Sequence, residues 1–81
     1  MTEAKPAVQA VIDARGLDCP MPLVKLRQAF MVLEAGATVR LLATDPQALD
    51  DVTEFCFAGD HELVDARREG ALLSLLVKKA G

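Results

Sequence analysis

The sequence predicts an α/β (α+β) two-layer sandwich, in which two helices cover one face of a four-stranded mixed sheet. Three observations lead to this prediction. Strand-like apolar runs alternate with two amphipathic helical patterns, and the last two runs flank a turn signal. A chain of 81 residues also has room for only one modest core. The resulting element order is β-α-β-α-β-β.

The first half of the chain predicts a strand, a helix and a second strand. The two strands cover residues 7–13 and 38–43. Between them, apolar residues recur at helical spacing from Pro20 to about Glu34, and Gly36 supplies a stop signal. Such a succession implies a right-handed crossover and a parallel strand pair. The apolar stripe of the helix comprises Leu23, Leu26, Phe30 and Leu33.

The dipeptide Asp45-Pro46 signals the start of a second helix. We expect Asp45 as the N-cap and Pro46 as the first helical residue, because a carboxylate caps free amides and proline needs no amide partner there. Gly59 ends the helix. Its apolar face carries Leu49, Val52 and Cys56, and its solvent face is assigned Asp50, Asp51 and Glu54.

The last two strands form a predicted hairpin. They cover residues 61–68 and 71–78, and Glu69-Gly70 lies between them where a tight turn is expected. The final strand is apolar on both faces, which favours an internal position in the sheet. We therefore expect a single domain over residues 1–81, with residues 1–6 as a flexible N-terminal tail.

Composition argues against several classes of protein. The net charge is −3 and aromatic residues make up 4% of the chain, so the basic clusters and stacking surfaces of a strong direct nucleic-acid binder are missing. No apolar run approaches membrane-spanning length, no signal peptide is recognisable, and two cysteines are too few for a disulfide scaffold. We expect a cytoplasmic protein with no membrane partner.

The strongest candidate for chemistry is Cys19, at the junction between the first strand and the first helix. Pro20 and Pro22 follow it and restrict the local backbone. A thiol at a helix N-terminus meets unpaired amides and the positive end of the helix dipole, and both favour the nucleophilic thiolate. The alternative is a buried structural cysteine at a helix start. Cys19 lies at a chain reversal, however, where buried residues are less common.

Neighbouring residues support this assignment. Gly16 is free to adopt a left-handed conformation in the loop before Cys19. Arg15 and Lys25 are close enough in sequence to add positive charge, whereas Asp18 opposes them. Lys25 and the outer face of the first helix are also candidates for docking a partner protein.

The remaining cysteine and the single histidine have simpler interpretations. Cys56 is expected as a buried core thiol, with a resolving cysteine for Cys19 as the alternative. His61 suits a surface or capping role at the start of a strand. Because the chain has no Cys-x-x-Cys, no histidine pair and no glycine-rich phosphate loop, we expect neither a metal nor a cofactor.

Several of these segments together resemble the TusA/SirA-like family of small sulfur-carrier proteins. The resemblance covers nearly the whole chain and includes the Cys-Pro-x-Pro signature of that family. The matching segments are Ile12–Leu17, Cys19–Pro22, Thr44–Pro46, Phe55-Cys56 and His61–Leu63. The resemblance implies the same βαβαββ two-layer sandwich.

The resemblance also implies a function. Cys19 would accept sulfane sulfur as a persulfide and pass it on, as a sulfurtransferase-type carrier acting stoichiometrically in a relay. The implied donors are cysteine desulfurases or rhodanese-like proteins, and the acceptors include DsrE-like proteins. Downstream pathways are tRNA thiolation, molybdenum-cofactor synthesis and sulfur oxidation. Met21 departs from the glutamate typical of the tRNA-thiolation branch, which weakens assignment to that branch.

Other functions compete with a sulfur carrier. A regulatory or adaptor module would use the same surface to bind a protein partner without sulfur chemistry. A thiol redox protein would pair Cys19 with Cys56. A nucleic-acid module is the weakest alternative, because the net charge of −3 opposes it.

Overall fold

Residues 8–80 are described by a computed structural model. The elements are β1 (Ala10–Ala14), α1 (Met21–Val32), β2 (Thr38–Ala43), α2 (Gln47–Gly59), β3 (Glu62–Glu69) and β4 (Leu72–Lys78). This is the predicted order. The expected tail over residues 1–6 lies outside the described residues. Neither helix of residues 8–80 is long and apolar enough to cross a membrane.

The four strands form one mixed sheet in the order β1-β2-β4-β3. β1 and β2 are parallel, whereas β4 runs antiparallel to both β2 and β3. β4 is therefore internal, as its apolar character on both faces predicts. The predicted α+β two-layer sandwich is confirmed.

Both helices pack on the same face of the sheet. Leu26 and Phe30 of α1 meet Val52 and Cys56 of α2 in one buried cluster. The sheet contributes residues that are paired across neighbouring strands and therefore share a face. These pairs are Val39 with Val77 and Leu41 with Leu75. Burial of these aliphatic side chains is the main force that holds the two layers together.

Some boundaries differ from the prediction. β1 begins at Ala10, not at residue 7, and α1 ends at Val32, not at Glu34. The C-terminus of α1 is capped by Lys79, the residue directly after β4. Its Nζ donates to the carbonyls of Phe30 and Leu33. A basic side chain at a helix C-terminus satisfies carbonyls that the helix leaves free. This long-range cap is absent from the local sequence pattern.

The hairpin turn is shifted by one residue. The loop between β3 and β4 is Gly70-Ala71, with Gly70 at φ 60°, whereas Glu69 still pairs with Leu72. A bulge at Val64 between Leu63 and Asp65 also interrupts β3. It adds an unpaired residue at an edge strand, a common place for bulges.

The topology places the N-termini of both helices at one edge of the sheet. α1 follows β1 and α2 follows β2, and these two strands point in the same direction. β3 also runs parallel to β2, because both are antiparallel to β4. The loops that lead into α1 and α2 therefore meet at the carboxyl ends of β1 and β2, where sites are common in sheets of this kind.

Leu41 and Leu42 offer a matched test of this layering, because they are adjacent on β2 and point to opposite faces. Leu41 is fully buried beneath the helices, and Leu42 is half-buried on the uncovered face. Leu41→Ala should lower the free energy of unfolding by about 2–5 kcal/mol. Leu42→Ala should lower it by less than half as much. Equal losses in urea titrations would contradict the assigned faces.

Candidate functional site

The loops that follow β1 and β2 are joined by two hydrogen bonds. The Gly16 amide donates to Thr44 Oγ1 at 2.8 Å, and the Cys19 amide donates to Asp45 Oδ2 at 2.6 Å. Gly16 has φ 81°, the left-handed conformation that the sequence predicts for it. These contacts fix the backbone of Cys19 against the start of α2.

Asp45 connects the starts of the two helices. Its Oδ1 accepts the Gln47 amide at 2.9 Å, while Oδ2 accepts the Cys19 amide. Both hydrogen bonds lower the pKa of the Asp45 carboxyl, and the bond from the Gln47 amide has the larger effect. Pro46 occupies the N-cap position and α2 begins at Gln47, so the predicted N-cap at Asp45 and helix start at Pro46 are each one residue early. Asp45 still accepts an amide of the first turn. Proline fits at position 46 for two reasons. Its φ of −60° is helical, and its nitrogen carries no hydrogen that would need an acceptor.

The two prolines that follow Cys19 lie at the start of α1. Pro20 follows a cis peptide bond and occupies the N-cap position, so the predicted helix start at Pro20 is one residue early. Met21 is the first helical residue, and Pro22 is the second. The ring of Pro22 is buried, which anchors this turn to the core.

Cys19 is exposed, and its thiol faces α2. Sγ–H donates to Asp51 Oδ2 at 2.8 Å. This hydrogen bond, followed by loss of solvation and by the charges of Asp51 and Asp45, raises the pKa of Cys19 from 9.0 to about 11. The expectation that the helix start favours the thiolate is therefore wrong for this free chain. At neutral pH the thiol form dominates.

The local structure explains why helix amides and basic side chains do not stabilise the thiolate of Cys19. Proline nitrogens at 20 and 22 carry no hydrogen, and the Met21 amide donates to the Asp18 carbonyl at 2.8 Å. The first turn of α1 therefore has few amides left for an anion. Arg15 is engaged as well, since its guanidinium pairs with Asp13.

Arg15, the first residue after β1, pairs with Asp13 within that strand. Arg15 Nε and Nη2 each lie 2.8 Å from an oxygen of Asp13. Hydrogen bonds from Arg15 lower the pKa of the Asp13 carboxyl to about 2. Both side chains are exposed, so the pair is screened by solvent and contributes little to stability. Its effect on the site is to hold the Arg15 charge against Asp13.

Comparison with known proteins identifies the family. The family described as Sulfurtransferase TusA matches residues 10–79. The chain belongs to this TusA family of sulfur carriers. A sulfur carrier protein TusA of Pseudomonas putida GB-1 is 40% identical over 81 residues, covering 99% of both chains. A TusA of Pseudomonas aeruginosa LESB58 is 39% identical over 75 residues, covering 91% of this chain and 95% of its own.

A solved structure supports the fold of this TusA-family chain. The crystal structure of a SirA-like protein from Desulfitobacterium hafniense superposes with a TM-score of 0.77. The match covers 90% of this chain and all of the other, at 17% sequence identity. At that identity the likeness concerns the fold alone. It agrees with the βαβαββ sandwich that the resemblance implies.

Two other candidate residues of this TusA-family chain, Lys25 and Cys56, form no hydrogen bond with the Cys19 thiol. Lys25 is half-buried on α1, and Cys56 is only 4% exposed within the core. Burial raises the pKa of the Cys56 thiol, as expected for a core cysteine. The residue that sequence reasoning missed is Asp51, which was assigned to the solvent face of α2. Only the side-by-side helix N-termini bring it to Cys19.

His61 packs as a structural residue. Its ring stacks on Phe55 at 4.9 Å and meets the edge of Phe30 at 4.9 Å. Nδ1 accepts the Ala80 amide at 2.9 Å, so the ring also holds the end of the described chain. A side chain at Gly59 would collide with this ring, with Cβ 2.7 Å from Nε2. In residues 8–80 no group of three His, Cys, Asp or Glu is placed to hold a metal ion.

Asp45→Ala tests the link between the two helix starts. It removes the acceptors of both the Gln47 and Cys19 amides, so Tm should fall by about 5 °C. Glu54→Ala is the control, because Glu54 is an exposed acidic residue of the same helix. Thermal unfolding measures both. An equal change in the two variants would refute the bridging role of Asp45.

Proposed function

We propose that this chain is a sulfur carrier that takes up sulfane sulfur on Cys19 as a persulfide and delivers it to an acceptor protein. The supporting observation is the exposed free thiol of Cys19, held by its backbone at the edge where both helices begin. A carrier requires an accessible sulfur on a rigid support and no enclosed substrate pocket. The names of the TusA relatives support the same role.

The transfer step is a thiol exchange. Cys19 Sγ attacks the terminal sulfur of a donor persulfide, a new S–S bond forms, and the donor's S–S bond breaks. The donor cysteine leaves as a thiolate and receives the proton that Cys19 gives up. One thiol and one persulfide are consumed and one of each is produced, so no external oxidant or reductant is needed. Discharge to an acceptor cysteine is the same exchange with the roles reversed.

The proposed partners are proteins with persulfide chemistry of their own. A cysteine desulfurase or a rhodanese-like protein supplies the sulfur, and a DsrE-like or related protein accepts it. The pathway served is one of tRNA thiolation, molybdenum-cofactor synthesis or sulfur oxidation, in the reducing cytoplasm. Docking is assigned to the surface around Cys19, including Met21, which is 43% exposed beside it, and Lys25 on α1.

The thiol redox alternative receives less support. A disulfide requires two sulfurs that can approach within bonding distance. Cys56 packs inside the core with Val52 and Phe30, while Cys19 is exposed and directed at Asp51. Pairing them would open the core around α2. An adaptor that binds without sulfur chemistry remains the competing function, and the experiment on Cys19 separates the two.

Cys19→Ser should abolish sulfur uptake, because serine cannot form a persulfide. The chain is incubated with a cysteine desulfurase and cysteine, or with a rhodanese and thiosulfate, and its intact mass is measured. The wild-type chain should gain one sulfur atom that a reductant removes. Cys56→Ser is the matched control and should still gain it. Absence of the adduct on folded wild-type protein with both donors would favour the adaptor.

Lys25→Glu tests the docking surface on α1. Reversal of this charge should slow sulfur uptake from the desulfurase by about three- to tenfold, since charges at a docking rim act mainly on association. Lys78→Glu is the control, because Lys78 is an exposed basic residue at the end of β4, opposite the end of the sheet where both helices begin. Uptake is followed by mass at several times. Equal rates for wild type and Lys25→Glu would remove Lys25 from the interface.

A further inference from the structure

Asp51 of α2 accepts a hydrogen bond from the Cys19 thiol. Its Oδ2 accepts Sγ–H at 2.8 Å, and its Oδ1 lies 3.4 Å from Gln47 Nε2 on the preceding turn. The residue is partly buried, whereas its neighbour Asp50 is exposed. One oxygen of the carboxylate is thus directed at the sulfur, and the other is held by Gln47.

We propose that Asp51 is a second functional residue of the Cys19 site, whose carboxylate keeps the empty carrier in the protonated thiol form and orients its sulfur toward α2. This assignment rests on the proposed sulfur-carrier function and deepens it. The site then has two functional residues: Cys19 carries the sulfur, and Asp51 controls the reactivity of the Cys19 thiol.

The charges around the sulfur favour this control. Asp51 faces it from α2, Asp45 from the loop before α2, and Asp18 precedes it in the chain. The nearest basic residue in the preceding loop, Arg15, is paired with Asp13. A thiolate would therefore form beside carboxylates with little compensation, and the hydrogen bond to Asp51 is available only to the protonated thiol.

This arrangement has a use in a carrier with an exposed thiol. The thiolate is the form that is oxidised and alkylated, so a protonated Cys19 resists adventitious reaction while it is empty. When a donor persulfide docks, the Cys19 proton passes to the departing donor thiolate as the new S–S bond forms. A basic donor side chain that pairs with Asp51 would weaken its hold on the proton and speed this step.

The test measures alkylation of Cys19 by iodoacetamide across pH, with the adduct located by peptide mass mapping. Asp51→Asn removes the charge at nearly the same volume, and Asp51→Ala removes the acceptor as well. The pKa of the thiol should fall from about 11 toward 9.0. Allowing for the lower nucleophilicity of a more acidic thiol, alkylation at pH 8 should become about tenfold faster.

Asp50→Asn is the matched control, because it makes the same charge change on the adjacent, exposed residue. Its alkylation rate should stay within about twofold of wild type, as expected for a screened surface charge. A wild-type rate in both Asp51 variants, or an equal gain in Asp50→Asn, would overturn the assignment. Urea titration of each variant identifies any gain that arises from unfolding.

The outcome is separable from that of the carrier function, because alkylation needs no sulfur donor. Sulfur uptake on Cys19 with unchanged alkylation in the Asp51 variants would overturn the Asp51 assignment alone. The expected alkylation with no sulfur uptake from either donor would refute the carrier function, and with it the role of Asp51 in transfer. Both expected results together support the two-residue site.

Discussion

The two carboxylate oxygens of Asp45 join the parts of the chain on which the site depends. One oxygen accepts an amide of the first turn of α2, and the other accepts the amide of Cys19, 26 residues earlier in the chain. The parallel pairing of β1 and β2 brings the two loops to this residue. Because backbone amides are held at both ends, the cysteine cannot move independently of α2.

The same arrangement determines the electrostatics of the site. Two helix N-termini converge on Cys19, and helix dipoles alone would stabilise an anion there. Prolines remove amides from the first turn of α1, and Asp45 and Asp51 add negative charge next to the sulfur. Specific carboxylates at hydrogen-bonding distance outweigh the partial charges of a helix end. The site therefore favours the neutral thiol form of Cys19.

Packing at the opposite end of the helices depends on long-range contacts. Lys79 caps the C-terminus of α1, and the ring of His61 packs against both Phe30 and Phe55 while it accepts the Ala80 amide. These contacts secure the last residues of the described chain to both helices.

The sequence by itself determined the element order, the internal place of β4, the left-handed Gly16 and the position of Asp45 next to the start of α2, because hydrophobic periodicity and turn chemistry are local properties. It also singled out Cys19, which directly precedes the Pro20-Met21-Pro22 segment. Element ends, the turn at Gly70 and the cap from Lys79 depended on contacts between distant segments. The raised pKa of Cys19 depends on tertiary structure, since Asp51 lies 32 residues away in sequence and reaches the sulfur only when the parallel crossovers align both helix starts.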